Sequence, residues 1–220
     1  MDCCQIDAIE EYMDVKMARA ELKGYRSDGP ANTTRILLDG LRTEQVLGSS
    51  LLDIGGGVGA IQHEFLRTGS VEVTSVDASS AYLEAAREEA SLHGHGDRLQ
   101  QLHGDFVKLA NDVPMADVVT LDRVICCFDD MESLVRLSAK RAKRLYGLVY
   151  PRDHVFSKVL VWLENAYHLL RSNRFRAFVH ATESVDELIR SLGFERIFAR
   201  GTMLWQVHIY RRSETWPAKS

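Results

Sequence analysis

The chain lacks any stretch of about 18 uninterrupted apolar residues, so nothing in it suits a helix that spans a bilayer. Its first residues, Met1-Asp2-Cys3-Cys4-Gln5, are acidic and carry no long apolar run, which argues against a secretory leader. Cysteine is scarce: four residues stand in two adjacent pairs, Cys3-Cys4 and Cys126-Cys127. That pattern matches neither a disulfide framework nor C-x-x-C metal spacing, and reduced thiols of a cytoplasmic protein with no metal site are expected. Positive charge is not in excess, with 27 Lys and Arg against 31 Asp and Glu and a net charge of −4. A dedicated nucleic-acid binder that works by neutralising phosphates is therefore not expected. What remains is an ordinary globular composition, 45% hydrophobic and 26% charged over 220 residues, enough for one domain with a full-sized core.

The most informative stretch is Leu51-Leu52-Asp53-Ile54-Gly55-Gly56-Gly57-Val58-Gly59. An apolar run breaking into glycines reads as a buried parallel strand that ends in a tight turn, and Ile61, Phe65 and Leu66 space a helix after it. Glycine in such a turn accepts positive φ and lets a ligand approach the backbone, while the helix start offers free N–H groups. Gly55-x-Gly57-x-x-Ala60 meets the loose dinucleotide pattern, so a nicotinamide oxidoreductase is one reading. Asp53 at the strand end opposes it: a carboxylate there repels a pyrophosphate and attracts a ligand carrying an ammonium and a sulfonium.

Asp53 through Gly59 resembles the first motif of the class I S-adenosylmethionine-dependent methyltransferases, an acid followed by Gly-x-Gly-x-Gly. The resemblance extends over residues 45–211. It implies a doubly wound Rossmann-like α/β fold, a seven-stranded mixed sheet with an antiparallel last strand and helices on both faces. In that resemblance Asp53, Gly55, Gly56, Gly57 and Gly59 hold S-adenosyl-L-methionine, with S-adenosyl-L-homocysteine as product. Val71 to Asp77 alternates as a second strand, and Asp77, followed by Ala78, stands where a carboxylate accepts hydrogen bonds from ribose hydroxyls. Leu99 to His103 is a third strand; the resemblance gives Asp105 the adenine amine and Phe106 the ring. Ala116 to Asp122 is a fourth strand, whose end, Leu121 and Asp122, points into the same crevice.

Elsewhere the patterns are helical. Residues 5–23 space one helix, broken at Gly24 to Pro30, and Asn32 or Thr33 caps a second with Ile36, Leu37, Leu38 and Leu41. Residues 1–44 thus form a helical cover over the site or a seal on a sheet edge. Ser80 to Leu92 is a helix with C-terminal glycines, and His93 and His95 read as loop residues. Ser133 to Lys143 is amphipathic, and its basic run, Arg136, Lys140, Arg141, Lys143 and Arg144, reads as a solvated face before an RNA patch. Leu145 to Tyr150 is a fifth strand. Val155 to Ser172 carries a wide apolar arc, read as a packed crossover helix ahead of a pocket roof or subunit dock, with a homodimer open. Arg171, Arg174 and Arg176 suit an anionic acceptor if they turn inward. Ser184-Val185-Asp186-Glu187 reads as a capping box before Gly193. Phe194 to Ala199 and Leu204 to Tyr210 are linked too briefly for anything but an antiparallel hairpin, and 212–220 reads as a flexible tail.

The function expected is transfer of a methyl group to a small-molecule acceptor by direct in-line displacement. Asp122, His154 and His180 are the candidate bases, each at an element end that can border the crevice. Cys126 and Cys127 are expected to pack. The Asn/Asp-Pro-Pro-aromatic motif of amino-group DNA methyltransferases is replaced by Leu121-Asp122-Arg123-Val124. His180 through Gly193 with the hairpin resembles magnesium-protoporphyrin methyltransferases, too short a likeness to name a porphyrin acceptor. A catalytically silent partner subunit with this fold is the other alternative.

Overall fold

A computed structural model describes residues 3–70 and 72–213. Residues 1–2, the side chains of Cys3, Cys4 and Gln5, the residue Val71 and the tail 214–220 lie outside the described part. Seven strands, β1 (Leu51–Ile54), β2 (Val73–Asp77), β3 (Leu99–His103), β4 (Ala116–Asp122), β5 (Ala142–Pro151), β6 (Phe194–Gly201) and β7 (Trp205–Arg212), form one sheet ordered β3-β2-β1-β4-β5-β7-β6. The first five run parallel. β7 lies antiparallel between β5 and β6. The three-residue link between β6 and β7 leaves no room for a crossover, which is why the sheet ends in a hairpin.

Strand alternation divides the core between the two faces. Leu52, Ile54, Val119 and Leu121 point to one side, Leu51 and Val118 to the other. The helices are α1 (Cys3–Tyr12), α2 (Val15–Asp28), α3 (Asn32–Arg42), α4 (Ala60–Arg67), α5 (Ser80–Leu92), α6 (Phe106–Leu109), α7 (Met131–Arg141), α8 (Val155–Leu170) and α9 (Thr182–Ser191). Leu37, Leu38 and Leu41 of α3 join Ile61, Phe65 and Leu66 of α4 on the second face. Leu134, Val135 and Ala139 of α7 and Val185 and Ile189 of α9 cover the first.

Several local expectations are corrected. The helix read over 5–23 is two helices: Asp14 leaves helical geometry and its carboxylate accepts the Met17 N–H at 2.8 Å, capping α2. α2 then runs through Gly24 and stops at Gly29, whose φ is 75°. Ala31, not Asn32 or Thr33, precedes α3, and no side chain caps it. α9 begins at Thr182 behind Ala181, so Ser184 lies inside the helix rather than at its cap. The last strand reaches Arg212, which was expected in the tail; its guanidinium donates to the carbonyls of Ala139 and Ala142.

The largest departure concerns α8. Only Ser157 and His168 of its sixteen residues are buried, so it is not a packed crossover helix. It lies across the carboxyl end of the sheet, tied inward by Asn165, which exchanges two 2.8 Å hydrogen bonds with the backbone of Ala177. His168 packs edge-on against Tyr12 and Phe175.

Candidate active site

The carboxyl ends of β1, β2 and β4 open into a cavity of about 390 Å³. Its floor is the glycine loop after β1, Asp77 and Ala78 after β2, Gly104 and Phe106 after β3, and Asp122 and Arg123 at β4. Ile9, Tyr12 and Met13 at α1, with Met17 and Glu21 of α2, form a second wall. Val161 and Glu164 of α8 with Phe175 and Ala177 form a third. In the N-terminal segment α1 and α2 border the cavity, while α3 packs on a face of the sheet and reaches the cavity through Thr34.

Asp53 lies on the cavity floor with no solvent exposure. Thr120 donates its hydroxyl to Oδ1 at 2.7 Å and Gln62 donates Nε2 to Oδ2 at 3.1 Å. Burial pushes the carboxyl up to about 7, against which those two donors only partly work. The loop passes directly over it. A Cβ on Gly56 would stand 2.1 Å from Gln62 Nε2 and 2.5 Å from Asp53 Oδ2, so no other residue fits there without displacing the acid.

Asp77 is built the same way. It accepts the N–H of Gly57 at 3.0 Å and that of Ser79 at 2.9 Å, and burial pushes it up to about 6. Two desolvated carboxylates bordering one cavity, each with lone pairs left, form an environment that favours cations and hydroxyl donors.

Of the residues expected to hold a cofactor, Asp53, Gly55, Gly56, Gly57, Asp77, Ala78, Phe106 and Asp122 border the cavity. Gly59, Asp105 and Leu121 do not. Gly59 takes a left-handed conformation at the start of α4 and faces His63 and Gln62, so its role is in the turn. Leu121 is fully buried in the core, because alternation along β4 sends it to the face opposite Thr120 and Asp122. Asp105 caps α6 through Oδ1, which accepts the Val107 N–H at 2.9 Å. Its Oδ2 is buried and has no partner, beside cavity residues Gly104 and Phe106.

The candidate bases separate. Asp122 borders the cavity, with Oδ2 accepting the Thr34 hydroxyl and Oδ1 paired with Arg123 at 3.2 Å. His154 does not reach it: Nδ1 accepts the Ser157 N–H at the start of α8 and Nε2 donates to the Met203 carbonyl at 2.9 Å. His180 is likewise structural, its Nε2 held between the carbonyls of Ile125 and Phe128 at 2.8 and 2.9 Å. Cys126 and Cys127 both line the cavity, and the hydrogen bond with Cys127 together with burial raises Cys126 well above an ordinary cysteine. The basic residues after α8 do not border the cavity: Arg171 lies over the Tyr167 ring, Arg174 faces Glu11, and Arg176 donates to the carbonyls of Asn173 and Phe175.

Sequence reading missed Glu21, Tyr82 and Glu164. Tyr82 donates its hydroxyl to Glu21 at 2.8 Å, and Glu21 lies 3.7 Å from the Arg123 guanidinium, closing a polar rim over the glycine loop. Arg123 carries a signal only in three dimensions, a φ of 61° in a non-glycine residue.

A sequence profile of the family described as "Methyltransferase domain" matches residues 52–145. The ribosomal protein L11 methyltransferase of Prochlorococcus marinus (strain MIT 9303) is 28% identical over 176 residues, covering 73% of this chain and 56% of that protein. The chain thus spans about half the length of that curated relative. Among solved structures, magnesium protoporphyrin IX methyltransferase from Synechocystis PCC 6803, with bound SAH, superposes with a TM-score of 0.72 at 16% identity, covering 93% of this chain and 98% of that one. The [4+2]-cyclase SpnF superposes at 0.67 with 14% identity, covering 93% and 96%. The domain match over residues 52–145 and the order of the sheet are consistent with the class I S-adenosylmethionine-dependent methyltransferase superfamily.

Proposed function

We propose that the protein transfers the methyl group of S-adenosylmethionine to a small, largely apolar acceptor. The observation that carries this reading is the pair of buried carboxylates, Asp53 and Asp77, bordering one cavity beneath the glycine loop. Asp53 would offset the positive charge of the methionine end. Asp77 would accept ribose hydroxyls with the lone pairs that Gly57 and Ser79 leave free. The unpartnered Oδ2 of Asp105 suits an exocyclic amine, and Phe106 suits the ring beside it. The residues present therefore fit the cofactor.

When bound, that cofactor supplies a methyl group already activated by its sulfonium. The chain's own work is then to align an acceptor and keep water out. Tyr12, Phe175 and Val161 give the acceptor side an apolar wall, and Tyr12 stacks on Phe175 with ring centres 4.6 Å apart. Asp122, alone among the three candidate bases in bordering the cavity, is the group to accept or orient an acceptor proton.

A nicotinamide dinucleotide fits less well. The Gly57 N–H that would face its pyrophosphate already donates to Asp77, and both acids would repel it. The deciding measurement is calorimetric titration of the purified protein with S-adenosylhomocysteine and with NAD, followed by transfer of a labelled methyl group across a panel of small acceptors. Binding of the former with NAD silent supports the reading; tight NAD binding overturns it. Cofactor binding without transfer to any acceptor would favour a silent partner or a non-methylating catalyst of the same fold.

A further inference from the structure

α8 ends up with its apolar side facing outward. Trp162 is 67% exposed, Leu170 86% and Leu163 50%, with Phe156, Tyr167 and Leu169 exposed beside them. At roughly 100° per residue the outward half of the helix, a run of ten residues by angle, contains no charged side chain. The inward side instead carries Ser157, Val161, Glu164 and His168, which pack on the protein or border the cavity. The exposed large side chains of this face present on the order of 1,000 Å² of apolar surface, beyond the few hundred Å² of an ordinary monomer patch.

We propose that this face docks on an anionic lipid surface, with α8 lying in the plane of the interface. Three features favour lipid over a second copy of the chain. An arc of roughly 180° is wider than the ~100° stripe that packing against one partner helix covers, whereas a lipid surface covers the whole outward half. The only hydrogen-bonding side chains on the arc are Trp162 and Tyr167, so it offers little of the polar matching of a protein interface, while these residues suit the headgroup boundary.

Charge supplies the third. Residues 152–176 contain five basic and two acidic residues, a net of +3 in a chain whose total is −4. Arg152, whose Nε donates to the Thr202 carbonyl, and Lys158, paired with Asp153 at 2.6 Å, stand at one end of the helix, and Arg171 and Arg174 with the more distant Glu11 at the other, so the net positive charge lies at both ends while the middle enters the acyl boundary. Because Val161 and Glu164 of the same helix border the cavity, docking brings the cavity wall to the lipid surface.

The test is co-sedimentation of the full chain with phosphatidylcholine vesicles with and without one-third phosphatidylglycerol. It compares wild type, L163E/L170E and R171E/R174E, with folding checked by circular dichroism and solution mass by light scattering. The expected result is binding to the anionic vesicles that weakens about tenfold or more for each variant and on adding salt, with Trp162 emission shifting to the blue. Equal sedimentation of wild type and L163E/L170E overturns the proposal. So does a wild-type dimer that ignores vesicles and becomes monomeric in L163E/L170E, which would make a second copy the occupant.

Discussion

Replacing Asp53 by Asn should stabilise the empty protein and weaken its cofactor binding, two effects of opposite sign from one atom change. Asp53 is held at about 7 by burial, against an ordinary value of 3.8. A folded-state value above the unfolded one means that folding favours the protonated acid. The stabilisation is fully present below pH 3.8 and is lost as pH rises through 7. At pH 8 the buried carboxylate therefore costs about 4 kcal/mol, and at pH 5 about 2 kcal/mol.

Asparagine removes that cost and keeps most of the contacts. Thr120 can still donate to its oxygen. Gln62, whose Oε1 has no partner, can turn to accept its new amide. The Thr120 and Gln62 hydrogen bonds are already included in the value of about 7, so the net gain is about 4 kcal/mol at pH 8 and about 2 kcal/mol at pH 5. For a chain of this size that is a rise of roughly 8–16 °C in Tm at pH 8, and about half of that at pH 5. Thermal melts of cofactor-free protein at the two pH values read it directly. Calorimetry at pH 8 should then give S-adenosylmethionine binding weakened about tenfold or more, since the attraction to the cofactor's cationic end is removed. A variant less stable at pH 8 with unchanged affinity would make Asp53 a structural strut, and the carboxylate argument for the site would be lost.

Gly56→Ala should abolish S-adenosylhomocysteine binding and lower stability by about 1–3 kcal/mol, because the new methyl group meets Gln62 and Asp53 inside contact distance; a variant that binds normally in titration would refute this. His180→Ala should lower Tm by removing the group that holds the carbonyls of Ile125 and Phe128, while leaving the pH profile of methyl transfer unchanged; a displaced profile would restore it as a base. His208, pushed down to about 4 by burial between Tyr150 and Tyr210, should make the protein acid-sensitive. Its folded value is depressed, so stability falls by up to about 3 kcal/mol as pH drops from 6.5 to 4, and His208→Gln should flatten that part of a denaturation-against-pH curve.

The strand, loop and helix units around the site were legible because each is written in adjacent residues. β1 and its glycine turn, β2 ending in Asp77, and α5 from Ser80 to Leu92 carry their period and their stop signals locally. The antiparallel β7 was legible for another local reason, the shortness of its link to β6. Asp14 was equally readable as a cap and was absorbed into a longer apolar period, which is how two helices became one. His154 and His180 failed differently. Both stand at element ends that face the cavity in the topology, but each imidazole is claimed by backbone carbonyls 49 to 55 residues away in sequence, which no periodicity reports.

α8 shows the same limit from the side of packing. A wide apolar arc gives the energy of being out of water without naming what excludes the water, and burial in the core is only one way to meet that demand. Here α7 and α9 supply the buried side chains on that face, α8 adds only the partly buried Val161, and the helix walls the cavity with one side. Its remaining half-cylinder is a surface whose partner lies outside the fold. The buried acids make the complementary case: Asp53 and Asp77 stood out as acids at strand ends beside the glycine motif, and the structure adds that both are kept from water, which is costly wherever no ligand repays it. Unrepaid cost of opposite kinds, charge kept from water in the cavity and apolar area left in water on α8, thus marks the two places where this chain is incomplete by itself.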